Sequence, residues 1–269
     1  MSAKQHPSFC GIAVMAKASQ AGRAKTRLSP PLTLDEAAIC NTAFLRDIAD
    51  NLLAAGALEP ISGAMAYGPP GQGAFFERHM PPGIGLFEVW EPDFGLCLIK
   101  ALQAQFAEGC RAACVLNSDS PTLPPSILAD AARQLEQPGD RIVLGPSSDG
   151  GYYLLGCKTV HPRLFEEIAW STDIVARQTL ERAAEIGVEV QLLPEWYDVD
   201  DAAALRTLIG ETLDDRPFHA RLRSSPAKHS AALLQRMRDE ADLDCRLAPG
   251  PDPIAAGTAP MPSVSRAAR

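Results

Sequence analysis

The sequence predicts an α/β fold with a mainly parallel central sheet, helices on both faces and a mostly disordered C-terminal tail. Short apolar runs alternate with longer stretches at helical spacing, and strands separated by helices join through right-handed crossovers. The 269 residues are 46% hydrophobic and 22% charged. That mixture excludes collagenous, coiled-coil and wholly disordered chains. Over about the last 24 residues the chain turns rich in Pro, Gly, Ala and Ser, and such a segment buries too little apolar surface to offset its chain entropy.

The elements follow in order. Phe9 to Met15 holds an apolar GIAVM core and reads as a buried strand. Thr33 to Ala55 is predicted helical: Ile39, Phe44, Leu45, Ile48 and Leu52 recur near helical spacing, Thr33 and Glu36 can form a capping box, and Gly56 is a stop. A strand at Pro60 to Ala66, a Gly/Pro loop at 68–73 and a strand at Gly85 to Trp90 come next. They lead into a helix at Gly95 to Ala107 and the strand Ala112 to Leu116. Ser126 to Leu135 reads as a helix, Arg141 to Leu144 and Tyr152 to Leu155 as strands, Ile174 to Ile186 as a helix and Val188 to Leu193 as a strand. A helix at Ala202 to Leu213 closes the body. A short helix at Ser230 to Glu240 belongs to an appendage, which gives three parts: a domain at 1–213, a helical appendage at 214–245 and a disordered tail at 246–269.

Charge is uneven. Residues 216–269 hold nine Lys/Arg against five Asp/Glu, which leaves 16 against 28 for the first 215 and makes the body acidic. An acidic body is a poor nucleic-acid binder, so a small anionic substrate must meet a local cluster of positive charge. The seven cysteines are scattered, with no CxxC pair and no nearby histidine to complete a zinc site, and read as free thiols in a reducing compartment. The apolar start is too short for a signal segment, and no later run approaches the roughly 18 apolar residues of a membrane span. The expectation is a cytoplasmic protein without a membrane partner.

Ligands of open α/β sheets sit at the carboxyl ends of the strands, so the loops after strands carry the chemistry. The first, KASQAGRAKTRL, brings Lys17, Arg23, Lys25 and Arg27 together among small residues, a setting for a di- or triphosphate, although the same residues also suit a plain solvated loop. A Walker A loop is excluded: that motif needs glycine directly before the lysine and again five residues earlier, where Ala24 and Ser19 stand. The second loop, Asn117 to Thr122, places Asp119 at the end of a buried strand, with Ser118 beside it. A carboxylate there suits a hard cation that bridges phosphate oxygens, although Asp119 or Ser120 also suits a plain turn.

The third loop contains Ser147, Ser148, Asp149, Gly150, Gly151 and Tyr152. Asp149-Gly150 between two strands is a hairpin signal, and the glycines also let the backbone lie against a sugar or a phosphate. The fourth, YDVDD, puts Asp198 and Asp200 on one side of an extended segment, where two carboxylates could complete a metal site; the alternative is that Asp200 or Asp201 only caps the next helix. In Trp170-Ser171-Thr172, Trp170 suits either an acceptor wall or the core, and Ser171 or Thr172 suits a helix cap. None of the five histidines neighbours a nucleophile, GxSxG is absent and no GxGxxG follows the first strand. Hydrolase-triad and dinucleotide readings therefore fall away.

In combination, KTRL, SDSPTLP, DGGYYLLG and YDVDD resemble the GT-A superfamily of nucleotide-diphospho-sugar transferases over residues 9–210. Within it, the chain is similar to a bacterial glycosyltransferase-like family related to 2-phospho-L-lactate guanylyltransferase. AKTRLSPPL is common to both groups, whereas DGGYYLLG and WST match the glycosyltransferase-like one. The resemblance implies a single Rossmann-like GT-A domain. It implies Mg²⁺ or Mn²⁺ on Asp119 and on Asp198 or Asp200, and phosphates gripped by Lys25 and Arg27, with Lys17, Arg23 and Ser118 nearby. Lys25, Arg27 and Asp119 become the catalytic candidates, and Ser148, Asp149, Gly150, Gly151, Tyr152, Trp170, Ser171 and Thr172 the donor and acceptor loops. One departure stands out: Asp93-Phe94-Gly95-Leu96-Cys97 lacks the Glu-Arg pair that the family often carries there.

The implied activity is metal-dependent transfer from a nucleotide-activated donor, foremost of a sugar from a nucleoside diphosphate sugar to a small acceptor. A nucleotidyltransferase that uses a nucleoside triphosphate and releases pyrophosphate is the first alternative. A catalytically decayed nucleotide-binding accessory protein is the second. A homodimer is compatible with either.

Overall fold

The computed structural model describes residues 9–248. Seven strands, β1 (Cys10–Ala16), β2 (Ile61–Tyr67), β3 (Gly85–Glu88), β4 (Ala112–Leu116), β5 (Arg141–Pro146), β6 (Tyr152–Cys157) and β7 (Glu189–Leu192), form one sheet in the order β3-β2-β1-β4-β6-β5-β7. Neighbours pair in parallel except β6, which runs antiparallel to both β4 and β5. The fold is thus the α/β architecture expected, with one reversed strand. That reversal comes from the Asp149-Gly150 turn, because a five-residue loop can return the chain only beside itself; a parallel return needs a crossover of a dozen residues or more.

Among the described residues there are eight helices: α1 (Leu34–Gly56), α2 (Gly73–His79), α3 (Phe94–Ala107), α4 (Pro125–Glu136), α5 (Val175–Glu185), α6 (Ala202–Leu213), α7 (Lys228–Glu240) and α8 (Leu243–Leu247). The two-residue period of the strands divides the core. Cys10, Ile12 and Val14 of β1 and Cys114 and Leu116 of β4 pack toward α1, α4, α6 and α7, whereas Ala13, Ala113 and Val115 pack toward α3 and α5. The predicted capping box of α1 is present: Thr33 Oγ1 accepts from Glu36 N at 3.2 Å, and Glu36 Oε2 accepts from Thr33 N at 2.7 Å.

Two helices escape the sequence pattern. α2 spans only seven residues, too few for a period to show. It is fixed by Phe76, fully buried and stacked on Tyr67 with ring centroids 4.8 Å apart. α8 lies across the expected start of the tail, so residues 246 and 247 are helical and Leu247 is buried; the expectation for 249–269 falls outside the described residues. All seven cysteines are free thiols. Among the described residues no helix is long and apolar enough to cross a membrane.

The segment after α6 shares the core of the body. Leu233, Leu234 and Met237 of α7 join the same cluster as α1, and buried Asp47 of α1 accepts from His229 N, Ser230 N and Ser230 Oγ, which satisfies the free donors at the start of α7. Ser225 N donates to Thr122 O at 2.8 Å, and Asn51 Nδ2 donates to Pro121 O at 2.9 Å, so this segment and α1 both brace the loop that carries Asp119.

Arg246 closes the other side. It donates to Pro31 O and pairs with Glu36, and the guanidinium hydrogen bond, opposed by partial burial, holds the Glu36 carboxyl down at about 2. A carboxylate with a depressed pKa stabilises the fold above its unfolded value of 4.5, and that contribution is lost as pH falls through about 2. Arg246→Ala is therefore expected to cost about 1 kcal/mol at pH 7, a value typical of a partly exposed pair. Thermal melts of the variant and the parent should converge by pH 2. A deficit that stays constant from pH 7 to pH 2 would assign the effect to packing instead.

Candidate active site

The loops that follow β1, β4 and β7 meet at the carboxyl end of the sheet. Lys25 Nζ lies 2.7 Å from Asp119 Oδ1, 2.9 Å from Asp200 Oδ1 and 2.9 Å from Val199 O. Arg27 Nη2 contacts Asp200 Oδ2. The basic loop and both acidic loops thus face one another across one cavity of about 870 Å³.

Local structure explains which carboxylate does what. β4 ends at Leu116, and the backbone beyond it is pinned by Asn117 N to Tyr153 O and by Val199 N to Asp119 O, each 2.8 Å. Ser118 Oγ donates to Asp119 Oδ1 at 2.8 Å. In the late loop, Val199 points into the core and is fully buried, so Asp198 and Asp200 face the cavity from the other side of the extended chain, as the alternation predicts. Asp201 takes the capping role, accepting from Ala203 N and Ala204 N at 2.8 Å each, which leaves Asp200 free for Lys25 and Arg27.

The third loop is a hairpin turn docked on α5. Asp149 Oδ1 accepts from Gly151 N at 2.9 Å, and Gly150 has φ +90°. Gly150 O accepts from Ala176 N at 3.0 Å, satisfying a free donor of the first turn of α5. The expected cap from Ser171 or Thr172 is not formed: Thr172 Oγ1 donates instead to Ala169 O at 2.6 Å, Ser171 adopts φ +65°, and Ile174 stands at the cap position without a side-chain bond. Sequence spacing placed a hydroxyl near the helix start, but the Gly150 carbonyl from another loop reaches it first.

Of the residues expected at the site, Lys17, Arg23, Lys25, Arg27, Ser118, Asp119, Asp149, Gly151, Tyr152, Trp170, Ser171, Thr172, Asp198 and Asp200 line the cavity. Ser148 and Gly150 do not. Ser148 is exposed and its N bonds Trp196 O, while Gly150 acts through the backbone. Further lining residues include Asn41, Phe94 and Leu98. Asn41 is a buried polar residue on the apolar face of α1, where it donates to Lys17 O at 3.1 Å and Ser19 Oγ at 2.9 Å and so shapes the basic loop. A polar side chain on an apolar helix face is the signal that could have found it. Phe94 and Leu98 of α3 form the apolar wall, with Phe94 edge-on to Trp170 at 5.1 Å between ring centroids. In the departing DFGLC stretch, Asp93 caps α3 through Leu96 N at 2.9 Å, and Phe94 is 47% exposed into the cavity.

The electrostatics are unbalanced. Five carboxylates (Asp119, Asp149, Asp173, Asp198, Asp200) border the cavity, and among the described residues only Asp119 and Asp200 of these have a cationic partner. Burial, then the charges of Asp149, Asp200 and Asp119, push the Asp198 carboxyl up to about 7. Burial works against the Lys25 ammonium, yet the charges and hydrogen bonds of Asp119 and Asp200 outweigh it and hold its pKa above the ordinary lysine value.

The residues fit a hard divalent cation. The donors are all oxygens, as Mg²⁺ and Mn²⁺ require, and the Lys25 ammonium stands as a cation already held by two carboxylates and a carbonyl. The one tight group of metal-type side chains among the described residues lies elsewhere, at Asp47, Asp50 and His229. That group is accounted for by the capping of α7 and by Asp50 pairing with Lys228 and His229.

The described fold is similar to that of a Desulfovibrio desulfuricans G20 protein described as a "putative nucleotide-diphospho-sugar transferase". The two are 27% identical over 89% of this chain and 97% of that one, with a TM-score of 0.73. A fold match at 11% identity and a TM-score of 0.50 is CMP:2-keto-3-deoxy-manno-octonic acid synthetase complexed with CTP, over 77% of this chain and 100% of that one. No curated protein sequence matches. Residues 51–172 match the family described as "Uncharacterized protein conserved in bacteria (DUF2064)". That match runs from the end of α1 to the Trp170–Thr172 turn, and the chain's fold is similar to that of the Desulfovibrio protein.

Proposed function

We propose that the protein is a metal-dependent transferase that takes a nucleotide-activated donor, and foremost a glycosyltransferase that moves a sugar from a nucleoside diphosphate sugar to a small acceptor. The observation that carries this reading is the meeting of Lys25 and Arg27 with Asp119 and Asp200 in a cavity also lined by Lys17 and Arg23. Lys17 and Arg23 are exposed and have no acidic partner among the described residues, so they are free to take phosphate oxygens. Mg²⁺ or Mn²⁺, when bound by Asp119 with Asp198 or Asp200, supplies charge neutralisation for the departing phosphate group. The chain's own side chains bind and orient: the basic loop grips the diphosphate, and the Asp149–Tyr152 turn and the Phe94/Trp170 wall border the space left for sugar and acceptor. Catalysis of this kind is mainly positioning and electrostatic stabilisation.

The glycosyl version leads because DGGYYLLG and WST belong to that side of the resemblance, and because the Desulfovibrio relative bears a sugar-transferase description. Nucleotidyl transfer is the second reading, favoured by the KTRL segment, whose Lys25 reaches the centre of the site. Incubation with Mn²⁺ and labelled nucleotide sugars, then with nucleoside triphosphates, separates them. UDP or GDP release is expected if a sugar moves, and pyrophosphate release indicates nucleotidyl transfer. Binding with no turnover of either donor would overturn both in favour of an accessory role.

A further inference from the structure

Lys25 is a tightly held charge at the centre of the cavity. Its three N–H groups are all used, by Asp119 Oδ1, Asp200 Oδ1 and Val199 O, its side chain is 6% exposed, and its backbone is left-handed at φ +52°. A non-glycine residue in that region is uncommon and persists where the surroundings over-determine it. An ammonium so engaged has no donor left for a phosphate. The cavity that should hold a nucleotide therefore keeps its central cation occupied by the chain itself, while Asp149 and Asp198 beside it have no cationic partner among the described residues.

We infer that Lys25 is an internal counter-cation that couples the binding of metal and nucleotide. When Asp119 and Asp200 ligate a divalent cation, their hold on the ammonium ends, and Lys25 turns its donors to the nucleotide phosphates. This inference rests on the metal-dependent nucleotide reading above. A cation that arrives alone leaves a poorly exposed ammonium without its carboxylates, which opposes binding. A nucleotide that arrives alone finds that ammonium already neutralised. Arriving together, each supplies the partner that the other releases, so each tightens the other by the same factor.

Titration calorimetry on the full chain tests this, with Mn²⁺ alone and with UDP and GDP, each in EDTA and in saturating Mn²⁺. In the parent protein, Mn²⁺ should tighten nucleoside diphosphate binding about tenfold or more, within the usual range for two coupled sites. In Lys25→Met, Mn²⁺ alone should bind about tenfold tighter than in the parent, and the coupling factor should fall toward one. A merely structural or phosphate-gripping lysine would give unchanged or weaker Mn²⁺ binding in that variant, and either result overturns the inference. Amine acetylation of the unmodified chain, read by peptide mass spectrometry with Lys17 as reference, covers the case in which the variant fails to fold. Lys25 should be protected in EDTA and labelled faster in saturating Mg²⁺, and equal labelling in both sinks the coupling. If neither diphosphate binds the parent under any condition, the proposed function falls and the coupling with it; binding with Mn²⁺ while Lys25→Met behaves like the parent removes the coupling alone.

Discussion

Asp119→Ala is expected to lower Mn²⁺-dependent affinity for a nucleoside diphosphate by about 100-fold or more, because loss of a direct ligand exceeds the loss seen when only its supporting contacts are removed. The fold should be little affected. Asp119 is 26% exposed, and Lys25 keeps Asp200 Oδ1 and Val199 O as acceptors after the change. The cost in stability is then about 1 kcal/mol, the scale of a partly exposed pair, or roughly 2–4 °C in melting temperature for a chain of this size. The two readouts separate the ligand role from a structural one. Unaltered metal-dependent affinity in the variant would rule Asp119 out as the metal's carboxylate, and a collapse of melting temperature would make the loss of binding uninformative about ligation.

Gly150→Ala carries the largest expected effect on the fold. A Cβ added at Gly150 would lie 2.0 Å from Asp173 O, and the residue sits at φ +90°, so the side chain meets backbone and the backbone itself is strained. Neither can relax without breaking the bond from Ala176 N to Gly150 O that docks the turn on α5. A cost of about 3 kcal/mol is expected, from a backbone clash added to an unfavourable φ. That corresponds to a fall of roughly 6–12 °C in melting temperature. The turn that carries Asp149 and Tyr152 should move away from the Trp170–Thr172 segment, and transferase activity should fall with it. Gly71, which also has positive φ but has no atom within 4 Å of an added Cβ, provides the comparison: Gly71→Ala should cost about 1 kcal/mol, from backbone strain alone. Equal melting temperatures for the two variants would show that the packing around Gly150 is not what holds the turn.

Much of this arrangement was legible from residues in order. The buried apolar strands β1 and β4 and the capping box at Thr33 and Glu36 follow from residues close together along the chain. Asp198 and Asp200 share a face for the same reason. The Asp149-Gly150 turn also announced its hairpin, although the sheet order had to supply the consequence that β6 runs against its neighbours.

What the sequence by itself determined was the alternation of strands and helices, and with it which loops gather at one end of the sheet. The tertiary structure decided the partners. Lys25 and Asp200 lie 175 positions apart, and only the order β1-β4-β6-β5-β7 brings them within 2.9 Å. Which of Asp200 and Asp201 caps α6, which group satisfies the start of α5, and how residues 225–247 brace the Asp119 and Pro31 loops were decided the same way. Period and capping are set by neighbours along the chain, whereas a buried charge is neutralised by whatever the packed fold carries to it, and no local pattern encodes that distance.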